Sequence, residues 1–469
     1  MTKAKKQSSL KSNIIGDRAF YSRVLSIVIP IIIQNTITNV VSLLDNVMVG
    51  RVGTLEMSAV AIVNQLLFVF YICIFGGLSG AGIFATQYAG AKDNEGVRSC
   101  FRIKLIIAFA MVALAMAVFI VMPDKLISLY LAKDTSPADL AATMGFARDY
   151  LKVMLWGLVP FAVSQVYSST LRELGETKLP MISSIAAIVV NLIFNYFLIF
   201  GTFGFPKLGV VGAAIATALS RYVELAIVVI FTHKRSKEFV FIKGAYRSMK
   251  IPRSLVNDII RRGMPLLVNE ALWSAGMATL TQCYSVRGLD VVAAVNIATT
   301  VGNLFNVVFL SMGNAVAIMV GQHLGANEVE KAKQTAWRLI AATVAACVVM
   351  GAILAVCAPF IPRVYNTTDT VRHMATRFLF VIAAMMPVIS FAHDCYFTIR
   401  SGGRTFLTLV FDSCFMWFIA VPLAAVLANF TALPIIELYL VIQLLEVVKG
   451  AIGFVLVQKG IWIRNIIDK

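Results

Sequence analysis

The chain has 469 residues, of which 59% are hydrophobic and only 14% are charged. Soluble domains carry roughly 25% charged residues, so this composition excludes a cytosolic globular protein and a disordered chain. The formal net charge of +17 would suit a nucleic-acid binder, but in so apolar a chain it is typical of cytoplasmic loops. We therefore expect a membrane protein with no nucleic-acid partner.

Apolar stretches of about the length of a bilayer span recur along the chain. A helix crosses the hydrocarbon core with about 20 apolar residues, and continuous apolar runs exclude the alternating pattern of a β-barrel. Twelve stretches qualify, which predicts an all-α polytopic membrane protein. They lie near residues 22–45, 57–82, 103–122, 147–170, 179–201, 208–232, 263–285, 291–320, 336–359, 375–398, 405–428 and 434–457.

Twelve spans place both termini on one side of the membrane, and the basic residues indicate which side. With the N-terminus inside, 29 of the 41 Lys and Arg residues fall in inside segments and 8 fall in outside loops. This bias predicts cytoplasmic termini, with tails at residues 1–21 and 458–469. The first tail has no secretory cleavage site; its lysines are Lys3, Lys5, Lys6 and Lys11.

The longest strongly polar stretch divides the spans into two sets of six. When each residue of the first half is compared with the residue a fixed number of positions further along the chain, Pro30 falls on Pro265 and Gly53 falls on Gly288. We name this fixed displacement the half-to-half shift. Because corresponding helices then run in the same direction, we expect parallel repeats with a central cleft between two lobes. Each proline removes a helical hydrogen bond and predicts a kink. The first lobe, the cytoplasmic linker and the second lobe are predicted at residues 22–232, 233–262 and 263–457.

Six acidic residues lie within or at the edge of the predicted spans. An ionised carboxylate there costs at least about 2.5 kcal/mol, so it must be paired, be protonated, bind a cation or face water. Glu224 lies one helical turn from Arg221, which predicts a structural pair. Glu446 lies one turn from Lys449, and this pair leaves both a structural and a functional role open.

The other four acids lack a basic residue one turn away. Asp45, Glu270 and Asp412 have none close in sequence, and we therefore interpret them as unpaired functional carboxylates. Asp394 stays open between a cleft-facing role and a packing role.

Amide and hydroxyl side chains are concentrated in the first half. Asn191 and Asn195 lie four residues apart on one face of span five, and Thr217 lies in span six. With a carboxylate such as Asp45 they offer hard oxygen ligands, which suit Na⁺, and the same carboxylate could carry a proton instead. Hydrogen bonding between helices is the structural alternative.

Five motifs resemble the multidrug and toxic compound extrusion (MATE) transporters. They are PIIIQN at residues 30–35, DNVMVGRVG at 45–53, QYAGA at 87–91, LRELGET at 171–177 and GAAIAT at 212–217. The resemblance covers the whole chain. It implies a bacterial plasma-membrane antiporter that exports hydrophobic, often cationic drugs or metabolites in exchange for Na⁺ or H⁺, by alternating access of two lobes and without another cofactor.

The resemblance also implies functional residues. The first-lobe cation site, for Na⁺ or a proton, matches Asp45, Asn191, Asn195 and Thr217, with Asn195 in place of a frequent Asp. A span-seven acid matches Glu270. The motif RSGGRT at residues 400–405 resembles a bacterial branch of the family and implies Asp412 and Glu446 as further second-lobe acids for substrate. Pro30 and Pro265 are the expected kink or gating residues.

Two other functions remain as alternatives. A flippase of lipid-linked precursors would have more spans or a strongly basic cavity. An intramembrane enzyme would need a nucleophile–base pair or a histidine-rich metal cluster, whereas the four histidines are scattered. A glycine loop for phosphate is lacking, so ATP does not drive the protein directly. We expect a monomeric transporter of drug-like molecules in the lipid bilayer, not an enzyme.

The cysteines predict no site of their own. Most lie inside apolar stretches without short paired spacing, which indicates small buried packing residues rather than disulfides or a zinc site. They are Cys73, Cys100, Cys283, Cys347, Cys357, Cys395 and Cys414.

Overall fold

The computed structural model describes residues 15–131 and 136–468. The tail lysines Lys3, Lys5, Lys6 and Lys11, and Lys133 of a predicted outer loop, lie outside these residues. Twelve long helices fill the described ranges. They are α1 (Arg18–Gly50), α2 (Thr54–Gly90), α3 (Asn94–Val121), α4 (Pro137–Glu173), α5 (Lys178–Phe200), α6 (Gly209–Lys234), α7 (Arg253–Ser285), α8 (Leu289–Gly325), α9 (Val329–Cys357), α10 (Asp369–Ser401), α11 (Thr405–Phe430) and α12 (Ile435–Gln458).

Ten of these helices are long and apolar enough to cross a bilayer, within the described part of the chain. The other two, α4 and α7, coincide with predicted spans but carry more polar side chains, such as Lys152 on α4 and Asn269 and Glu270 on α7. Polar residues on a membrane helix face protein or water rather than lipid. We therefore expect these two helices, which have the most polar faces, to contribute residues to a site.

The helix boundaries repeat along the chain. The half-to-half shift relates both ends of α1 to both ends of α7, and it relates α2 to α8 in the same way. The turns that follow α2 and α8 use equivalent left-handed residues, Lys92 with φ of 58° and Asn327 with φ of 60°. The shift predicted from the sequence therefore describes backbone geometry as well.

Two glycines at equivalent helix ends allow a close backbone approach. A Cβ atom at Gly90 would overlap the carbonyl of Gln322, and one at Gly325 would overlap the carbonyl of Gln87. The Gln87 side chain is fully buried and bonds the C-terminal segment, with its Oε1 accepting from Ile466 N at 2.8 Å. The ends of α2 and α8 are therefore packed main chain against main chain.

Residues group by packing into two compact units. One holds α7 from Ile260 onward and α8–α12, with the described part of Met1–Ile32 and with Thr86–Asp93, and the other holds Ile33–Ala85 and Asn94–Ile259. α1 passes from one unit to the other shortly after Pro30. The lobe boundaries at residues 232 and 263, which follow chain order, stay a prediction.

The predicted linker is partly helical and partly packed. α6 continues to Lys234 and α7 begins at Arg253, so the connection is shorter than residues 233–262. Phe241 and Ala245 in it are buried, and Arg102 of α3 donates from its Nε to Ala245 O at 2.9 Å. The connection is thus held against α3 by a hydrogen bond from a side chain to its backbone.

The described structure agrees with the packing role predicted for the cysteines. All seven are free thiols, and each is buried or half-buried.

Candidate cation and substrate sites

Three helices of the first half bring the four predicted cation-site residues together. Asn195 Nδ2 donates to Asp45 Oδ1 at 2.7 Å, which joins α5 to α1. The amide of Asn191 lies 3.2 Å from both Asp45 oxygens and 3.2 Å from Thr217 Oγ1 on α6. With its nitrogen towards Asp45 and its oxygen towards Thr217, every one of these contacts is a hydrogen bond. The cluster therefore contains one carboxylate, two amides and one hydroxyl.

Local sequence places these side chains. Asn191 and Asn195 stand one turn apart on α5, so both point to the same face. Gly212 allows α6 to approach α5 closely, since a Cβ atom there would lie 2.5 Å from Leu198 O. This approach brings Thr217 within reach of the amides.

The first-half cluster retains an unused acceptor. Asn191 and Asn195 are buried, Asp45 is half-buried, and the buried Asn195 Oδ1 has no hydrogen-bond partner among the residues that the structure describes. Among the described residues no lysine or arginine nitrogen lies within 4.0 Å of Asp45, although Arg221 acts on it electrostatically from farther away. A carboxylate without an ion pair beside an unused carbonyl oxygen suits a small cation.

A chain of polar contacts links four helices of the same half; we name it the first-half network. Arg172 Nη2 donates to Gln34 Oε1 at 2.9 Å, and Gln34 Nε2 donates to Ser184 Oγ at 2.7 Å. Ser184 Oγ donates to Glu224 Oε1 at 2.7 Å, and Arg221 Nη1 lies 3.3 Å from Glu224 Oε2. The predicted Arg221–Glu224 pair is confirmed. Sequence reasoning missed Ser184 and Arg172 as its neighbours.

In the second half Asp412 lies in a polar cluster rather than alone. Lys449 Nζ lies 2.7 Å from Asp412 Oδ1 and 3.6 Å from Glu446 Oε1. Asn269 Nδ2 donates to Asp412 Oδ2 at 3.1 Å. The prediction that Asp412 is unpaired is therefore wrong, because its partner stands far along the chain on α12, where sequence spacing cannot reveal it.

Glu270 is paired as well. Arg400 Nη1 of α10 lies 4.0 Å from Glu270 Oε1, so the expectation of an unpaired carboxylate is wrong here too. The partner, Arg400, again comes from a helix distant in sequence. Next to it, Trp417 Nε1 donates to Leu272 O at 2.8 Å, and Trp273 is 41% exposed. We name these contacts together the second-half network. It consists of the pair Arg400–Glu270, the contacts Lys449–Asp412–Asn269, and Glu446.

The remaining predicted residues lie outside both clusters. Asp394 is fully buried within the packing of α10. Pro30 and Pro265 lie inside α1 and α7, which continue as helices through them. Their role in kinking or gating stays a prediction. No group of three or more His, Cys, Asp or Glu side chains suited to a metal occurs among the described residues.

The chain matches one family model twice. The model MatE covers residues 30–197 and 265–426, so the two matches begin at the two prolines that the half-to-half shift relates. A probable multidrug resistance protein of Bacillus subtilis, YoeA, is 26% identical over 418 residues, 88% of each chain. A probable multidrug resistance protein NorM of Bacillus anthracis is 27% identical over 86% of this chain and 87% of that relative.

Solved structures share the fold. An outward-facing multidrug resistance MATE family transporter of the MOP superfamily aligns with a TM-score of 0.84 at 20% identity, over 95% of this chain and 96% of the other. A variant of the Vibrio cholerae MATE transporter VcmN aligns with a TM-score of 0.86 at 18% identity, over 97% and 99%. The all-α fold of twelve helices in two six-helix repeats is thus confirmed. Since the family model covers more than half of the sequence, the chain belongs to the MatE family of membrane transporters.

Proposed function

We propose that this chain is a secondary antiporter that exports hydrophobic, often cationic drugs or metabolites in exchange for Na⁺ or H⁺. The observation that carries the proposal is Asp45, which lies among amide and hydroxyl groups with no basic nitrogen within 4.0 Å in the described structure. A carboxylate with such neighbours keeps its charge available for a coupling cation. The names of the relatives, probable multidrug resistance proteins, support drugs as cargo.

The proposed mechanism uses Asp45 as the group that reports cation occupancy. A proton or Na⁺ on Asp45 removes or balances its negative charge and so changes its hydrogen bonds to Asn195 and Asn191. Such a change biases a two-state equilibrium only if the two states bind the cation differently. Alternating access of two lobes provides these states. In this proposal the protein is a monomer in the bacterial plasma membrane, with both termini cytoplasmic.

The flippase alternative has less support. Anionic lipid carriers would need basic side chains that are free to bind phosphate. The buried base Lys104 lies 2.5 Å from Glu173 Oε2, and Lys449 is held by Asp412. Basic groups neutralised in this way favour cations over anions as cargo. We likewise propose transport rather than catalysis.

The direct test is transport by the purified protein in liposomes. Uptake of ethidium, a cationic dye, would be followed under a Na⁺ gradient alone and under a pH gradient alone, with protein-free liposomes as the control. We expect one of the two gradients to drive uptake against the dye gradient, and collapse of that gradient with an ionophore to stop it. Dye movement that ignores both gradients would contradict antiport.

A further inference from the structure

The two polar networks are built from equivalent positions. The half-to-half shift relates Gln34 to Asn269. A second displacement, slightly shorter than the first, relates Arg172 to Arg400. The same second displacement relates Ser184 to Asp412. Each network then ends in an oppositely charged pair, one helical turn apart, on the last helix of its half. These pairs are Arg221 with Glu224, and Glu446 with Lys449.

The equivalent positions carry different charges. The neutral Ser184 of the first half is replaced by the acidic Asp412 in the second. Under the same second displacement Arg221 falls on Lys449, so the basic position is kept. Its acid lies one turn later in the first half, as Glu224, and one turn earlier in the second half, as Glu446. As a result Glu224 bonds Ser184 in the first half, whereas Lys449 contacts Asp412 in the second. The first-half network has two basic groups and one acid. The second has two basic groups and three acids, and therefore has one negative charge that is not balanced within it.

The Lys449 ammonium occupies the kind of site that an alkylammonium ligand needs. Two carboxylates approach it, Asp412 at 2.7 Å and Glu446 at 3.6 Å, and it lies 5.6 Å from the ring centre of Phe411. Carboxylates combined with an aromatic face bind organic cations through charge and cation–π attraction. The site thus has both the carboxylates and the aromatic face that an organic cation needs, and the Lys449 ammonium occupies it.

The helix that carries Asp412 is irregular at this place. Val410–Cys414 and Met416–Ala420 of α11 are π-helical, a form that is rare and is frequent at functional sites. The side chains of Lys449, Asp412 and Glu446 are 12%, 14% and 26% exposed, so the cluster is reached from the surface. A ligand can therefore contact these charges without unfolding the core.

We propose that Lys449 is a tethered ammonium that an exported organic cation displaces from Asp412 and Glu446. This inference rests on the proposed export of cations and assigns them a site in the second half, separate from Asp45. The tether sets a threshold for binding, because a ligand must offer the carboxylates more than the lysine does. Neutral molecules gain nothing from the displacement, so Lys449 acts as a specificity determinant for charge.

Binding to the purified protein tests this directly. Tetraphenylphosphonium is a permanent cation, and triphenylphosphine oxide is a neutral compound of similar chemistry; titration calorimetry gives Kd for both. Lys449→Gln removes the competing ammonium and should tighten phosphonium binding about tenfold. Glu446→Gln removes one of the two carboxylates of the site and should weaken phosphonium binding about tenfold. The Kd of the neutral compound should change less than about twofold in either variant, because it competes for no charge.

A matched control separates local from general electrostatics. Lys331→Gln removes one positive charge from an exposed lysine of α9, which lies 2.7 Å from Glu328. We expect it to leave phosphonium affinity unchanged. Unchanged or weaker phosphonium binding by Lys449→Gln would overturn the proposal, as would wild-type protein that binds no phosphonium.

A second pair of variants guards against misfolding. Lys449→Gln leaves two carboxylates without their cation, whereas Asp412→Asn combined with Lys449→Gln replaces an ion pair by neutral groups of similar shape. The double variant should bind phosphonium more tightly than Asp412→Asn alone, and the reverse order would overturn the proposal.

Because binding needs no ion gradient, a Lys449 effect in a protein that fails to transport would refute only the proposed antiport. Gradient-driven export with no Lys449 effect would refute only the present inference.

Discussion

The Asp45 site and the Asp412 cluster are two solutions to the same problem, a carboxylate inside a membrane helix. Asp45 accepts a hydrogen bond from Asn195 at 2.7 Å, whereas Asp412 is held at the same distance by the ammonium of Lys449. An amide stabilises the carboxylate but leaves its charge unbalanced, and an ammonium cancels that charge. The partner, rather than the acid, therefore decides whether a buried carboxylate is open to a cation directly or, as we propose for Asp412, only once its ammonium partner is displaced.

The largest effect is expected where the charge has no substitute. Asp45→Asn keeps the shape and most hydrogen bonds of the site but removes the group that a proton or Na⁺ would occupy. We expect gradient-driven dye transport in liposomes to fall by about 100-fold or more, since a two-state switch needs a ligand that distinguishes its states. The variant should still insert and fold.

Asp290→Asn provides the matched control for that substitution, because Asp290 is exposed at the start of α8. It should transport like the wild type. Efflux by Asp45→Asn equal to that of the control, at equal expression, would remove Asp45 from the coupling mechanism and end the contrast between the two acids.

A smaller and more selective effect is expected at Glu270. Glu270→Gln leaves Arg400 with a positive charge that its neighbour no longer balances, 4.0 Å away in the present structure. Export of a cationic dye should fall about tenfold, whereas export of a neutral drug should fall much less. The combined change with Arg400→Gln should restore part of the cation export. An equal loss for both classes of compound would point to packing or coupling instead.

The smallest effect is expected at the hydroxyl of the Asp45 site. Thr217→Val keeps the shape but removes an oxygen 3.2 Å from the Asn191 amide. We expect about a fivefold weaker dependence on the driving cation, measured as the concentration for half-maximal transport, because a single hydrogen bond contributes on the order of 1 kcal/mol. Thr232→Val on the same helix is the control, since its hydroxyl donates to Val228 O in its own helix. The same loss in both variants would show that the Thr217 hydroxyl is no ligand.

Periodic and repeated features were predictable from sequence. Apolar runs placed all twelve long helices, and the paired prolines revealed the repeat that the helix boundaries follow. Asn191 and Asn195 lie on one face because their spacing is a helical turn. Ten of the twelve helices are longer than predicted, as for α10, which begins at Asp369 rather than near 375, since polar end residues continue a helix beyond its apolar core.

Contacts between distant helices were not predictable. Spacing predicts Glu446 as the partner of Lys449, whereas the shorter contact of Lys449 is with Asp412 on another helix. Arg400 lies in the RSGGRT motif, and nothing in that pattern indicates that it faces Glu270. The π-helical turns of α11 also left no sign in the apolar pattern, because they change the hydrogen-bond register and not the composition.

The reciprocal approach of Gly90 to Gln322 and of Gly325 to Gln87 has a consequence for how the two halves diverged. In a symmetric dimer an isologous contact repeats itself, since residue i meets j and j meets i. In this chain, equivalent helix ends of the two halves make a reciprocal contact of this kind, and the atoms that meet belong to the main chain. Side chains elsewhere in the halves were free to change, to the point that Ser184 stands where Asp412 does in the other half. At Gly90 and Gly325 a side chain would overlap main-chain atoms, so the repeat persists in the backbone there although most side chains of the two halves differ.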